Sequence, residues 1–229
     1  MNKLFSIKWG DEKKIYILGI KISIGKPHIN NFIYVIDSRT GKKKKVNYIR
    51  GINIKFTKHD SSVTVYKPFI NFKGNEFILS ENCHIIIGNK ENLTTSGMQN
   101  VKIYMRHGDS KLEIGKDFFN ANSLYELDNN SKCTIGNDCM FSSCHILAGD
   151  CHKIVDKITK KELNTESNLV VGDHVWIGYN ATILKNAKIS SGSIVGTNSL
   201  VAGKFDEEES VIIAGNPARI IKKNIEWRK

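Results

Sequence analysis

The sequence predicts an all-β fold, a parallel β-helix wound in six-residue steps. Two observations predict it, and a third removes the main competitor. From Val171, six consecutive hexads read VGDHVW, IGYNAT, ILKNAK, ISSGSI, VGTNSL and VAGKFD. Each opens on a β-branched aliphatic residue: Val171, Ile177, Ile183, Ile189, Val195 and Val201. Their fifth positions, Val175, Ala181, Ala187, Ser193, Ser199 and Phe205, are small or modest in five of six cases. A helix cannot use this period, because steps of six carry successive apolar residues to opposing faces of a 3.6-residue turn. The β-branched residues mixed with Gly and Asn disfavour helix as well.

One hexad supplies a short strand and a corner, so three hexads close a triangular coil. Val171 is then expected under Ile189, Ile177 under Val195, and Ile183 under Val201. First-position side chains stack inward, and each coil's backbone bonds to the coils above and below. Gly172, Gly178 and Gly196 fill second positions, where they are read as relieving unusual corner dihedrals.

The elements follow in chain order. Residues 1–80 are read as an irregular β or capping region. Segments 16–22, 52–54 and 63–65 suggest short strands, either degenerate first coils or a small cap. Residues 81–215 are read as the β-helix proper. Its weaker corners are Ile87-Gly88, Ile114-Gly115, Ile135-Gly136 and Val171-Gly172. The 36-residue step from 135 to 171 equals two coils in length. Residues 135–152 read as one of them, and the polar segment 153–170 as a loop thrown out of the helix, a common place for function. Residues 216–229 are expected to form a short capping helix. Asn216 is its cap and Pro217 its first residue, and Ile220, Ile221 and Trp227 pack on the last coil.

The 229 residues suit one domain with a small attached region. Net charge is +11; the densest run, Lys42–Lys45, reads as a solvated turn. No RNP, zinc-finger or helix-turn-helix pattern accompanies the charge, so nucleic acid is not an expected partner. The cysteines are Cys83, Cys133, Cys139, Cys144 and Cys151, an odd count with no CxxC. No signal peptide or membrane-spanning run is seen, and a reduced cytoplasmic protein is expected. Cys139 and Cys151 are read as small-residue repeat positions.

Five segments carry a resemblance: IGNDCMFSS (135–143), GDCHKIVD (149–156), VVGDHVWIG (170–178), GTNSLVAGK (196–204) and AGNPARIIKK (214–223). Together they resemble bacterial sugar O-acetyltransferases of the hexapeptide-repeat, left-handed β-helix superfamily. The similarity is to the branch holding maltose, serine, virginiamycin-type and polysialic acid acetyltransferases. The resemblance implies left-handed coils, a homotrimer with sites between subunits, and acetyl-CoA as donor. It assigns His152 as the base that deprotonates a sugar hydroxyl, which histidine suits at neutral pH. It places Trp176, an outward aromatic, against the acetyl or pantetheine end; packing on a neighbouring subunit is the compatible alternative. His174 ranks below His152, and either Asp150 or Asp156 could fix the His152 tautomer.

CoA binding is likewise implied by resemblance. Gly178, Asn180, Thr197 and Ala202 would meet the thioester and pantetheine through backbone. Thr197 stands where the family commonly has alanine. Lys204, Arg219, Lys222 and Lys223 are candidates for the CoA phosphates, or ordinary surface charge. No GxGxxG or P-loop pattern occurs. His145, His152 and His174 do not match the histidine spacing of the zinc enzymes sharing this architecture, so no metal is expected. The expected acceptor is a hydroxyl of a surface glycan such as sialic acid. The segment KKIYILGIKI (13–22) resembles leader segments of surface-polysaccharide enzymes. Two alternatives stand beside this: N-acetylation of a nucleotide-linked amino sugar, and a non-enzymatic trimeric scaffold.

Overall fold

The structure is a computed structural model. It describes residues 30–91, 96–128, 130–165 and 167–229, together with the backbone of three N-terminal strands, Phe5–Lys8, Lys13–Ile17 and Ile20–Ile24. Those three pair antiparallel in their own sheet. Leu18 and Gly19, within the predicted 16–22 strand, lie outside the described residues.

From Phe32 onward the chain winds as stacked coils with three sheet faces of nine, eight and seven strands. One coil shows the plan: Ser131–Ile135 lies on the first face, Met140–Ser142 on the second and His145–Leu147 on the third. Stacking is parallel throughout, with antiparallel partners only at two ends, Lys43–Val46 beside Phe32–Asp37 and Ala218–Lys222 beside Ile212–Gly215. The predicted registers are found: Val171 on Ile189, Ile177 on Val195, and Ile183 on Val201. The weaker corners also stack, Ile87 on Ile114, Ile114 on Ile135 and Ile135 on Val171. First-position side chains fill the interior, where Val171, Ile177, Ile183, Ile189, Val195 and Val201 are all buried. Burial of each aliphatic side chain is worth about 1.5–3 kcal/mol. Larger residues take over in the wider early coils: Phe77, Phe118, Tyr125 and Phe141 are fully enclosed.

Several expectations are corrected. The coils begin well before residue 81, because Phe32–Asp37 stacks on Ser62–Lys67 and Ile52–Phe56 on Asn75–Leu79. Residues 52–54 and 63–65 therefore belong to early coils. These are longer than later ones, which hid their period. The 36-residue step is one coil with an excursion, since Ile135 pairs directly with Val171. The excursion leaves after His145–Leu147 and ends before Ser167–Val171, so residues 167–170 are strand. Cys151 sits on the excursion and is exposed, whereas Cys139 is buried in a coil.

The corner chemistry also differs from expectation. Left-handed backbone at the corners falls mostly to Asn, Asp, Ser and His, and to a few glycines such as Gly74 and Gly192, but not to the second-position glycines. Asn100, Asn122, Ser143, Asn180 and Asn198 line one corner, each amide bonded to the coil below. Asn and Asp tolerate this region because a short polar side chain can bond locally. The glycines answer a different need: a Cβ on Gly136 would meet the carbonyl of Gly172 at 2.6 Å, and one on Gly172 the amide of Ser191 at 2.6 Å. They permit close stacking.

The capping helix is not formed. Ala218–Lys222 is a strand, antiparallel to Ile212–Gly215. The last coil leaves an open edge of unpaired backbone groups, and Ile220 and Ile221 suit a strand better than a helix. Trp227 is buried as predicted, but Ile221 is exposed.

Candidate active site

The excursion is built around Asn164. This buried side chain donates through Nδ2 to the His152 carbonyl and to Asp150 Oδ2, both at 2.8 Å. Its Oδ1 accepts from the Ile154 amide at 2.7 Å. The backbone of the predicted base and the residues two positions to either side of it are thus tied to one amide. Lys185, from the next coil, pairs with Asp150. At the root, a Cβ on Gly149 would meet the Asp128 carbonyl at 2.5 Å, so only glycine passes there. Further out, Val155 bridges Glu162, Lys153 pairs with Glu162 at 2.8 Å, and Asp156 accepts from the Ile158 and Thr159 amides. Asp156 is therefore engaged in its own turn, and Asp150 with Asn164 and Lys185. Sequence reasoning missed Asn164 and Lys185, because neither sits in a recognisable motif.

The imidazole of His152 is exposed and makes no hydrogen bond among the described residues. A histidine so placed can accept a proton from an incoming hydroxyl. His174 is engaged instead. Its Nδ1 bonds Asp138 at 2.6 Å and its Nε2 the Trp227 carbonyl at 3.0 Å. Its ring stacks on Trp227 with centroids 4.0 Å apart, and Trp227 Nε1 donates back to the His174 carbonyl. Lys229 joins Asp138 to close a clasp of the C-terminal tail. Burial raises the Asp138 carboxyl, but the bonds from Lys229 and His174 outweigh it and hold the group below its ordinary range.

Trp176 points outward from the second face, between Met140 and Ile194, with 37% of its surface exposed. Trp227 lies beside it at 6.1 Å. Exposed Tyr179 follows at the corner. Trp176 and His152 belong to different edges of one chain, the former to the second face and the latter to the excursion between the third and first faces.

The predicted backbone contacts divide into two kinds. The Gly178 amide donates to Val195 and the Asn180 amide to Ser143, so both are consumed in coil stacking. The amides of Thr197 and Ala202 have no partner among the described residues and lie on exposed corners. They are free to donate to a carbonyl. Thr197 offers that amide whatever its side chain. Of the predicted cations, Lys223 is paired with Glu208 at 2.6 Å and Arg219 bonds its neighbouring carbonyl. Lys204 and Lys222 are exposed. Among the described residues no group of three or more His, Cys, Asp or Glu side chains is placed to hold a metal ion. No helix there is long and apolar enough to cross a membrane.

The architecture is thus a six-residue-step parallel β-helix with one anchored excursion that presents a histidine. No protein-family model matches the chain. The polysialic acid O-acetyltransferase of Neisseria meningitidis is 30% identical over 162 residues, covering 67% of this chain and 75% of that protein. The polysialic acid O-acetyltransferase of Escherichia coli O1:K1 / APEC is 36% identical over 121 residues, covering 52% of this chain but 39% of that longer relative. Among solved structures, the polysialic acid O-acetyltransferase OatWY superposes with a TM-score of 0.54 at 26% identity, covering 88% of this chain and 89% of its own. The chain belongs to the hexapeptide-repeat acetyltransferase family that includes the polysialic acid O-acetyltransferases.

Proposed function

We propose that the chain transfers acetyl from acetyl-CoA to a hydroxyl of a sialic-acid-type surface glycan, directly and without a covalent enzyme intermediate. The observation that carries this reading is the anchored exposure of His152 in a chain 30% identical to a polysialic acid O-acetyltransferase. His152 takes the proton of the acceptor hydroxyl as its oxygen attacks the thioester carbonyl. The C–S bond breaks, and the CoA thiolate leaves and regains a proton. A base in this role contributes about 10²–10⁴-fold in rate. The free amides of Thr197 and Ala202 suit the carbonyls of the thioester and pantetheine. Trp176 suits the pantetheine arm as an apolar wall. Lys204 and Lys222, with Arg219, are the cations that would meet the phosphates.

The same reading includes left-handed coils, a cytoplasmic location and a homotrimer. In the trimer, one chain's His152 would face its neighbour's Trp176 edge. The excursion exposes Ile154, Val155, Ile158 and Leu163. Such a patch calls for cover, and a neighbouring coil stack supplies it. The test is mass spectrometry of a sialic acid polymer incubated with acetyl-CoA and protein. A gain of one acetyl mass per modified sugar supports the reading. Hydrolysis of acetyl-CoA alone, or transfer only to amino groups, refutes it.

A further inference from the structure

A second feature lies at the opposite end of the coil stack. A groove of about 790 Å³ opens beside the edge strand Lys43–Val46. Five cations line it: Lys42, Lys43, Lys44, Arg50 and Lys67. None of them forms an ion pair among the described residues. The single carboxylate in the lining, Asp37, is turned into its own loop, accepting from the Arg39 and Thr40 amides at 3.0 Å. Two aromatic side chains share the groove: Tyr48 is 76% exposed and Phe69 is 36% exposed.

Edge protection explains part of this. Lysines on an exposed edge strand discourage pairing with another chain, and Lys43 rests over the Tyr34 ring at 3.7 Å. That account covers Lys43–Val46 only. Arg50 and Lys67 come from other segments, Lys67 from Ser62–Lys67, on the far side of Phe32–Asp37, and edge protection gives no reason to expose Tyr48. Lys67 already rests over the Phe69 ring at 5.6 Å, so Tyr48 is the open aromatic face; cations converging on such a face recognise a polyanion whose units present a flat apolar surface beside a charge.

We propose that this groove is a remote binding site for a carboxylated sugar polymer, holding an acceptor chain while another part of the same chain is acetylated. The choice of occupant rests on the glycan reading above. On the first face, the groove's strand Phe32–Asp37 lies five strand steps from Ser167–Val171, where the His152 excursion rejoins the stack. At about 4.8 Å per step, that is about 24 Å. A long chain can span it; a short fragment can occupy only one site.

Lys44→Glu/Arg50→Glu tests this against a charge-matched control, Lys55→Glu/Lys102→Glu, at exposed lysines on the third face, off the line from groove to excursion. Acetyl transfer is measured with a long sialic acid polymer and with its trisaccharide, beside direct titration of the long polymer. The groove variant should raise KM for the long polymer on the order of tenfold. Its kcat, and its KM for the trisaccharide, should match the control and wild type. Tyr48→Ala should shift long-polymer KM in the same direction without a charge change. An unchanged long-polymer KM in both groove variants overturns the proposal. So does wild-type titration showing no binding, or tighter binding of an RNA of equal charge. If wild type acetylates neither glycan, the acceptor reading fails by itself. The titration then still decides the groove, with polymer bound by wild type and lost in the variant supporting it.

Discussion

At the scale of single residues, the site depends on one side chain that no motif announces. Asn164 bonds Asp150, the His152 carbonyl and the Ile154 amide, so it sets where the imidazole is offered. Asn164→Ala should lower kcat up to about 10²-fold, the range that misplacement of a reacting group produces. KM for acetyl-CoA and Tm should change little, because the excursion lies outside the coil core; steady-state kinetics with thermal melting checks both. A fall in Tm matching the loss of activity would make Asn164 merely structural. Trp176 stood out in the sequence because it closes a hexad, where a fixed period makes an odd residue visible, whereas His152 was assigned only through the resemblance carried by segment 149–156. Asn164 and Lys185 were not legible, because their partners meet only once the excursion folds back.

At the scale of elements, stacking distance and the C-terminal clasp each give a prediction. Gly136→Ala would press a methyl against the Gly172 carbonyl, and overpacking of this kind costs about 1–3 kcal/mol. Gly203→Ala, whose Cβ would meet nothing closer than 3.6 Å, should leave Tm unchanged. Comparing the two melts separates coil stacking from a general cost of losing glycine. The clasp brings pH dependence. The Asp138 carboxyl is depressed in the folded protein, so its contribution is fully present above the unfolded value and is lost as pH falls from there through the lower folded value. The protection of residues 224–229 against hydrogen exchange, taken relative to the intrinsic rate at each pH, should therefore fall in wild type on acidification below about pH 4. Asp138→Asn should exchange quickly at neutral pH already and lose that acid step. The predicted helix failed here because its propensity signals are local, while the open sheet edge that captured Ala218–Lys222 exists only after the last coil has formed.

At the scale of the whole molecule, the late coils were readable to the residue and the early ones were not. Eighteen-residue coils, as between Asn168 and Asn186, keep hexad phase. Coils such as that between Ser61 and Cys83, with a 22-residue step, lose it, although their interior is equally apolar. The three sheet faces nevertheless form one continuous stack from Phe32 to Phe205. The anchored excursion rejoins the first face two strands short of its Phe205 end, and the cationic groove lies at the other end, the separation that the proposed extended acceptor would span.

The central claim is that this stack delivers the imidazole at position 152 to an acceptor hydroxyl beside a thioester. Initial rates of acetyl transfer from acetyl-CoA to a sialic acid polymer, wild type against His152→Ala, test it most directly. The account predicts transfer by wild type and a fall of about 10²–10⁴-fold in kcat for the variant, with acetyl-CoA still bound. Equal rates for the two proteins would contradict it.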